Sequence, residues 1–235
     1  MTRQQISFAE FSALLLLVAL AVFAGNLVFR YANIGKDLEQ KTLTNARIVS
    51  SLTAAAHQQY GKSTSALSKL SDVRFTTNSK LQPRDVHFPA TFTRNLSEKI
   101  SKLKLASSFN IFSDVPFGTQ ADRKLDGFAK QALNRLRGGE KEVWQFFQDQ
   151  DGPDHIRHTT PIVMRENCVA CHNDPKWNLA KRDWVAGDIR GVREVRVEVP
   201  TAETQGQNAI LGQLGLSVMA LCLGTFVVFP AVRKE

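Results

Sequence analysis

Two long apolar runs, one towards each end, constrain this chain of 235 residues more than any other feature. The first goes from Phe11 to Phe29, with Leu14 to Leu17 unbroken. The second goes from about Ala209 to Phe229 and stops at Pro230, just before Arg233, Lys234 and Glu235. A helix needs about 18–20 apolar residues to cross a bilayer. Neither run shows a polar face, which argues against a buried core helix. A cleaved signal peptide competes for the first run, since Val22-Phe23-Ala24 suits a cleavage point. We prefer an uncleaved anchor: the run is long for a signal, Glu10 spoils a basic start, and a second anchor follows. Basic residues after the second run favour the cytoplasmic side, and Arg3 agrees. The expected organisation is a cytoplasmic N-terminus (1–10), a transmembrane helix (11–30), an extracytoplasmic domain (31–208), a second transmembrane helix (209–230) and a cytoplasmic tail (231–235).

The net charge of +8 and a pI of about 9.6 raise the question of nucleic acid. The Lys and Arg are dispersed and no nucleic-acid motif appears, so no such partner is expected. A basic surface suits an acidic protein partner or anionic lipid instead.

Between the runs, the pattern is that of one α+β domain with an antiparallel sheet. Tyr31 to about Leu70 lacks Pro and repeats apolar residues at three- and four-residue steps, predicting a long helix that continues the first run. Asn78 to Pro89 reads as a loop, and Ala90 to about Leu103 as a helix. Ser108 to Phe112 reads as a short strand, Ser113 to Gly118 as a turn, and Asp122 to Leu136 as a helix with Leu125, Phe128, Ala129, Ala132 and Leu136 on one face. Lys141–Gln148 and His155–Val163 read as strands around Asp151-Gly152-Pro153. Val192, Val195, Val197 and Val199 mark the clearest strand, with strict alternation from Glu194.

The chain has three cysteines, and two of them lie in Cys168-Val169-Ala170-Cys171-His172. Two cysteines at this spacing, with His following at once, read as an attachment site for one covalent c-type haem. Each thiol adds to a porphyrin vinyl group, and the adjacent His172 reaches the iron as its proximal ligand. Chance produces such a pattern on the order of once per thousand chains of this composition. A zinc site needs four ligands, and no second Cys pair exists. A thioredoxin-like pair wants a βαβ context that is missing. This haem is attached outside the cytoplasm, which agrees with the topology.

For the sixth iron ligand, His57 is the first candidate. At about 100° per residue, Ala46, Ser50, Thr53 and Ala54 fall near it on the helix, small enough to admit a flat ring. Met164 and His158 are the alternatives, and an open site is a further one. Arg182 and Arg190 are candidates for the haem carboxylates, with Arg165 and Lys181 also close to the motif. Trp177, Trp184 and Phe112 are candidates to pack on the porphyrin.

One stretch runs Met164-Arg165-Glu166-Asn167-Cys168-Val169-Ala170-Cys171-His172-Asn173. A second runs Arg182-Asp183-Trp184-Val185-Ala186-Gly187-Asp188-Ile189-Arg190-Gly191. Weaker companions are Phe112-Ser113-Asp114-Val115-Pro116-Phe117 and Leu125-Asp126-Gly127-Phe128. This combination resembles the PAS-like haem c sensor-domain family, formerly a domain of unknown function, over roughly Ile34 to Pro200. Members stand outside the membrane in bacterial cyclases, histidine kinases and chemoreceptors, and a stand-alone cyanobacterial cytochrome is similar. The resemblance implies a PAS-like sheet and a sensory role at the bacterial inner membrane, with the main domain in the periplasm. Some members use a Cys as second axial ligand, and no Cys precedes Cys168 here. The signalling members continue into an output domain, whereas this sequence stops soon after its second apolar run.

The first expected function is therefore a redox or gas sensor subunit that signals through a separate partner. The alternative is a membrane-bound monohaem electron-transfer cytochrome. No catalytic constellation is visible, so an enzyme is not expected. Membrane lipid, a signalling or redox protein and a second copy of the chain are the candidate partners.

Overall fold

The computed structural model describes residues 7–78, 80–103, 105, 107–115, 124–177 and 180–200, with 215, 216, 218, 219 and 222. Residues 39–199 form one compact unit, and the N-terminal part of the first helix belongs to a second.

The first helix, α1 (Phe8–Leu67), has no internal proline and covers both the first apolar run and the predicted long helix. Leu17, Val28 and Phe29 on it are exposed. Among the described residues no single helix is long and apolar enough to cross a membrane, although a bent pair, Ala13–Phe29 with Ala32–Leu67, passes that test together. Most of the second apolar run lies outside the described residues.

Two short strands, β1 (Arg74–Thr76) and β2 (Asp85–His87), pair in parallel. The second of them occupies part of the stretch expected to be loop. Arg74 Nε donates to Asp85 Oδ1 at 3.0 Å, and Asp85 Oδ2 accepts from the Gln82 amide at 2.9 Å. One carboxylate thus organises a turn that composition alone reads as irregular. Helix α2 (Pro89–Ser101) follows, started by a proline whose missing N–H costs nothing at that position.

The main sheet contains β3 (Ser107–Phe112), β4 (Val143–Phe147), β5 (His155–Val163) and β6 (Ile189–Glu198). Its order is β3-β6-β5-β4, antiparallel throughout. Helix α3 (Gly127–Arg137) starts later than Asp122. Asp126 Oδ1 accepts from the Ala129 amide at 2.7 Å and caps the helix there; residues 122 and 123 lie outside the described residues.

Each face of the sheet has its own apolar layer, because strand side chains alternate. One layer joins Phe128, Ala132, Leu133 and Leu136 of α3 to Phe112, Val143 and Val192. The other joins Ala46 and Val49 of α1 and Leu96 and Ile100 of α2 to Phe109, Val195 and Val197. Burying each large side chain contributes roughly 1.5–3 kcal/mol. Tyr60 of α1 stacks on Phe92 of α2, with ring centroids 4.1 Å apart, and donates to the His87 carbonyl. The short helix α4 (Glu166–His172) leads into a single 3₁₀ turn, Pro175–Trp177.

Candidate functional site

The Cys-x-x-Cys-His segment lies on α4, so Cys168 and Cys171 are three residues apart on one side of a helix. Both thiols are free and half-buried, and both line a cavity of about 1020 Å³. That volume is just above the roughly 300–1,000 Å³ typical of ligand sites. His172 lines the same cavity, and so does His57, over a hundred residues earlier on α1.

The protonation pattern of His57 follows from its neighbours. The Thr93 hydroxyl donates to the Pro89 carbonyl at 2.9 Å, which uses its single hydrogen. The 2.6 Å contact between His57 Nδ1 and Thr93 Oγ1 must then have the imidazole as donor. A neutral imidazole protonated at Nδ1 has its lone pair at Nε2, the form that binds a metal. Burial, and secondarily the charge of Arg193, push the His57 pKa down to about 4, so the ring is neutral. Burial also pushes His172 down to about 4, with Arg190 and His57 adding smaller effects. The buried Nδ1 of His172 has no hydrogen-bond partner among the described residues.

Two arginines of β6 line the cavity as well, Arg190 and Arg193. Burial lowers the pKa of both, that of Arg193 to about 10. Arg193 was not a candidate from sequence. A signal was nevertheless present, since it shares the alternation of Val195 and Val197 and so places a charge on an apolar strand face. Thr93, the orienter of His57, carries no such signal.

The other candidates separate. Met164 is buried and lines the cavity; Arg165, Phe112 and Trp177 line it too. His158 does not line it: Nε2 lies 2.8 Å from Glu142 Oε2 and the residue is 1% exposed. Burial lowers its pKa despite that carboxylate, while the Arg47 hydrogen bonds, followed by His158, hold Glu142 at about 2. Arg182 is exposed and away from the cavity lining; Lys181 pairs with Asp183 at 2.6 Å. Trp184 is buried outside the lining, beneath Lys181 and Arg190. On α1, Ser50 and Ala54 line the cavity. Ala46 packs into the core, and the Thr53 hydroxyl donates to the Val49 and Ser50 carbonyls.

The segment from Arg182 to Gly191 explains itself as a frame for α4. Before the helix, the Met164 amide donates to Asp188 O at 2.8 Å and the Gly187 amide to Met164 O at 2.9 Å. After it, Asn173 Nδ2 donates to Trp184 O and Oδ1 accepts from the Trp184 amide, at 2.8 and 3.0 Å. Gly187 has φ +101°, a conformation that side-chain-bearing residues rarely adopt. Asp188 Oδ2 accepts from the Val185 amide at 3.0 Å and closes that turn. At Gly191 a Cβ would lie 2.5 Å from the Phe112 carbonyl oxygen, so β3 and β6 can meet only over glycine.

Among the described residues no three His, Cys, Asp or Glu side chains group as a bare metal ion requires. The cavity instead offers two thiols, two neutral imidazoles, the buried Arg193 and the half-buried Arg190. This set fits an iron porphyrin with two vinyl groups and two carboxylates. Among the described residues, His172 Nδ1 has no hydrogen-bond partner and neither arginine has an ion-pair partner, as such a group would require. The site therefore defines a haem-binding domain. The chain belongs to the Tll0287-like family, whose model matches residues 36–198. This is the haem c sensor-domain family that the motifs resemble. No curated protein and no solved structure matches the chain.

Proposed function

We propose that the chain is a membrane-anchored c-type haem protein of the bacterial inner membrane, with a PAS-like haem domain in the periplasm. It acts as a redox or gas sensor subunit that signals through a separate partner. One haem is bound covalently through Cys168 and Cys171, with His172 as proximal ligand and His57 as distal ligand. What carries the reading is that His57 and His172 open on one cavity with both thiols, and that Thr93 holds His57 as an Nε2 acceptor. Bound there, a haem supplies a one-electron iron couple. The protein's own share is to orient two imidazoles, surround the ring with Ser50, Ala54 and Ile111, and exclude water. α1 carries His57, so a change at the iron acts on the helix that begins in the first apolar run. No residue is assigned a catalytic role, and nucleic acid has no part in the proposal. Lipid contacts the apolar runs, and a second copy is a partner for α1.

A second reading is favoured by the same imidazole pair. Two ligands held in advance leave no position open for gas and suit plain electron transfer, with the basic surface docking an acidic protein. Optical spectra of the ferric and ferrous full-length protein, with and without CO or NO, separate the two. A ready adduct in the wild type supports gas sensing, whereas an unchanged spectrum removes it. In His57→Ala the low-spin spectrum should be lost; a spectrum identical to wild type would remove His57 from the iron.

A further inference from the structure

We propose that Arg193, together with Arg190, is the seat for the two carboxylates of the haem, and that Arg193 raises the iron's potential through that charge pair. The inference rests on the haem reading above and adds to it a second, carboxylate-recognising half of the same cavity.

Arg193 is 5% exposed, on the sheet face that carries Val195 and Val197. Its Nη1 donates to Thr160 Oγ1 at 3.2 Å, and its buried Nε has no acceptor among the described residues. Thr160 is itself held from α1, with its hydroxyl 3.0 Å from Ser50 Oγ. Arg190 is arranged alike. Its Nη1 donates to Ser113 Oγ at 2.8 Å, its guanidinium lies 5.1 Å from the Trp184 ring centroid, and its buried Nε is unpaired. Neither arginine has a carboxylate within ion-pair distance among the described residues. The nearby Asp114 is engaged by both Nη atoms of Arg137, at 2.6 and 2.8 Å.

Burying a guanidinium without a counter-charge is strongly unfavourable unless an anion arrives. Arg193, buried, and Arg190, half-buried with its Nε covered, face the cavity that also holds both thiols and both imidazoles. A haem brings two carboxylates, and the guanidinium fork matches a carboxylate in geometry as well as charge. Thr160 holds Arg193, and Ser113 with the Trp184 ring holds Arg190, so the carboxylates find donors already placed. Thioether bonds to Cys168 and Cys171 settle which vinyl goes where; the arginines settle how deep the opposite edge of the ring sits. A bare carboxylate near the iron favours the ferric state. The Arg193 charge offsets it.

The test uses the full-length protein, matured with haem in a periplasm, as wild type, Arg193→Gln, Arg193→Lys and the surface control Arg182→Gln. Covalent haem is read from intact mass and the pyridine haemochrome, and the potential from a spectroelectrochemical titration at pH 8. In Arg193→Gln, haem should stay attached and low-spin, while the reduced-to-oxidised ratio at fixed potential falls at least about tenfold, equivalent to about 59 mV for one electron. Arg193→Lys should restore most of the ratio, and Arg182→Gln should leave it unchanged. Resonance Raman modes of the propionates should shift in Arg193→Lys, which reports on the contact even if the glutamine variant does not fold. A fully loaded Arg193→Gln with the wild-type potential, or unshifted propionate modes in Arg193→Lys, overturns the proposal. Absence of covalent haem in the wild type would instead overturn the reading beneath it.

Discussion

The two faces of the main sheet each bury an arginine, and they treat it in opposite ways. On the α3 face, Arg157 lies over Phe128 and Phe147 and is clasped by Glu194 at 2.6 Å and Asp126 at 2.7 Å. On the α1 face, Arg193 has Thr160 behind it and a cavity in front. The first arrangement is complete within the chain and serves stability. The second has no carboxylate partner among the described residues, and an unpaired buried charge costs stability. The same sheet thus carries one arginine paired within the chain and one turned towards the cavity.

This contrast can be broken or sharpened by substitution. The largest effect on stability is expected for Leu136→Ala, deep in the α3 layer, at about 2–5 kcal/mol. Denaturant melts should show that loss while the haem spectrum stays put; a disturbed spectrum would mean the faces are not independent. Next comes Glu194→Gln, which strips Arg157 of one of two carboxylates. The pair is largely buried, with side chains 15% and 16% exposed, so about 1–2 kcal/mol is expected, because Asp126 remains. An unchanged denaturation midpoint would show that Arg157 does not need both partners. The smallest stability effect, about 1 kcal/mol, belongs to Thr93→Val on the α1 face, which removes the acceptor for His57 Nδ1. Its distinguishing readout is spectroscopic: a weakened low-spin signature, where neither α3-face variant moves it. Thr93→Val with wild-type spectra would separate Thr93 from the iron site.

Much of the frame was legible from pattern. Strict alternation marked β6, absence of proline marked the length of α1, and the apolar stripe of α3 marked its packing face. Each rests on local periodicity. The start of α3 was misjudged because one capping contact at Asp126 outweighs the single apolar residue upstream of it, Leu125. Strand β2 was missed because its order comes from Arg74 and Asp85 rather than from β-branched residues. The motif from Arg182 to Gly191 was visible as a motif, but its purpose was not, since the clamps at Met164 and Asn173 join residues distant in sequence.

By itself the sequence determined the local set of groups on which the proposed attachment rests. Two thiols and an imidazole at fixed short spacing are a local property, and no folding is needed to see them. It also determined the apolar runs and the alternation that build the sheet. Only the tertiary structure decided which remote groups share the cavity. It brought His57 to the side of the thiols, gave its Nδ1 hydrogen to Thr93, took His158 into a bond with Glu142, left Arg182 on the surface and turned Arg193 inward. The physical reason is that a cavity is lined by whatever the packing of helix on sheet brings face to face, and the partner that selects a tautomer or leaves a cation unpaired lies far away along the chain.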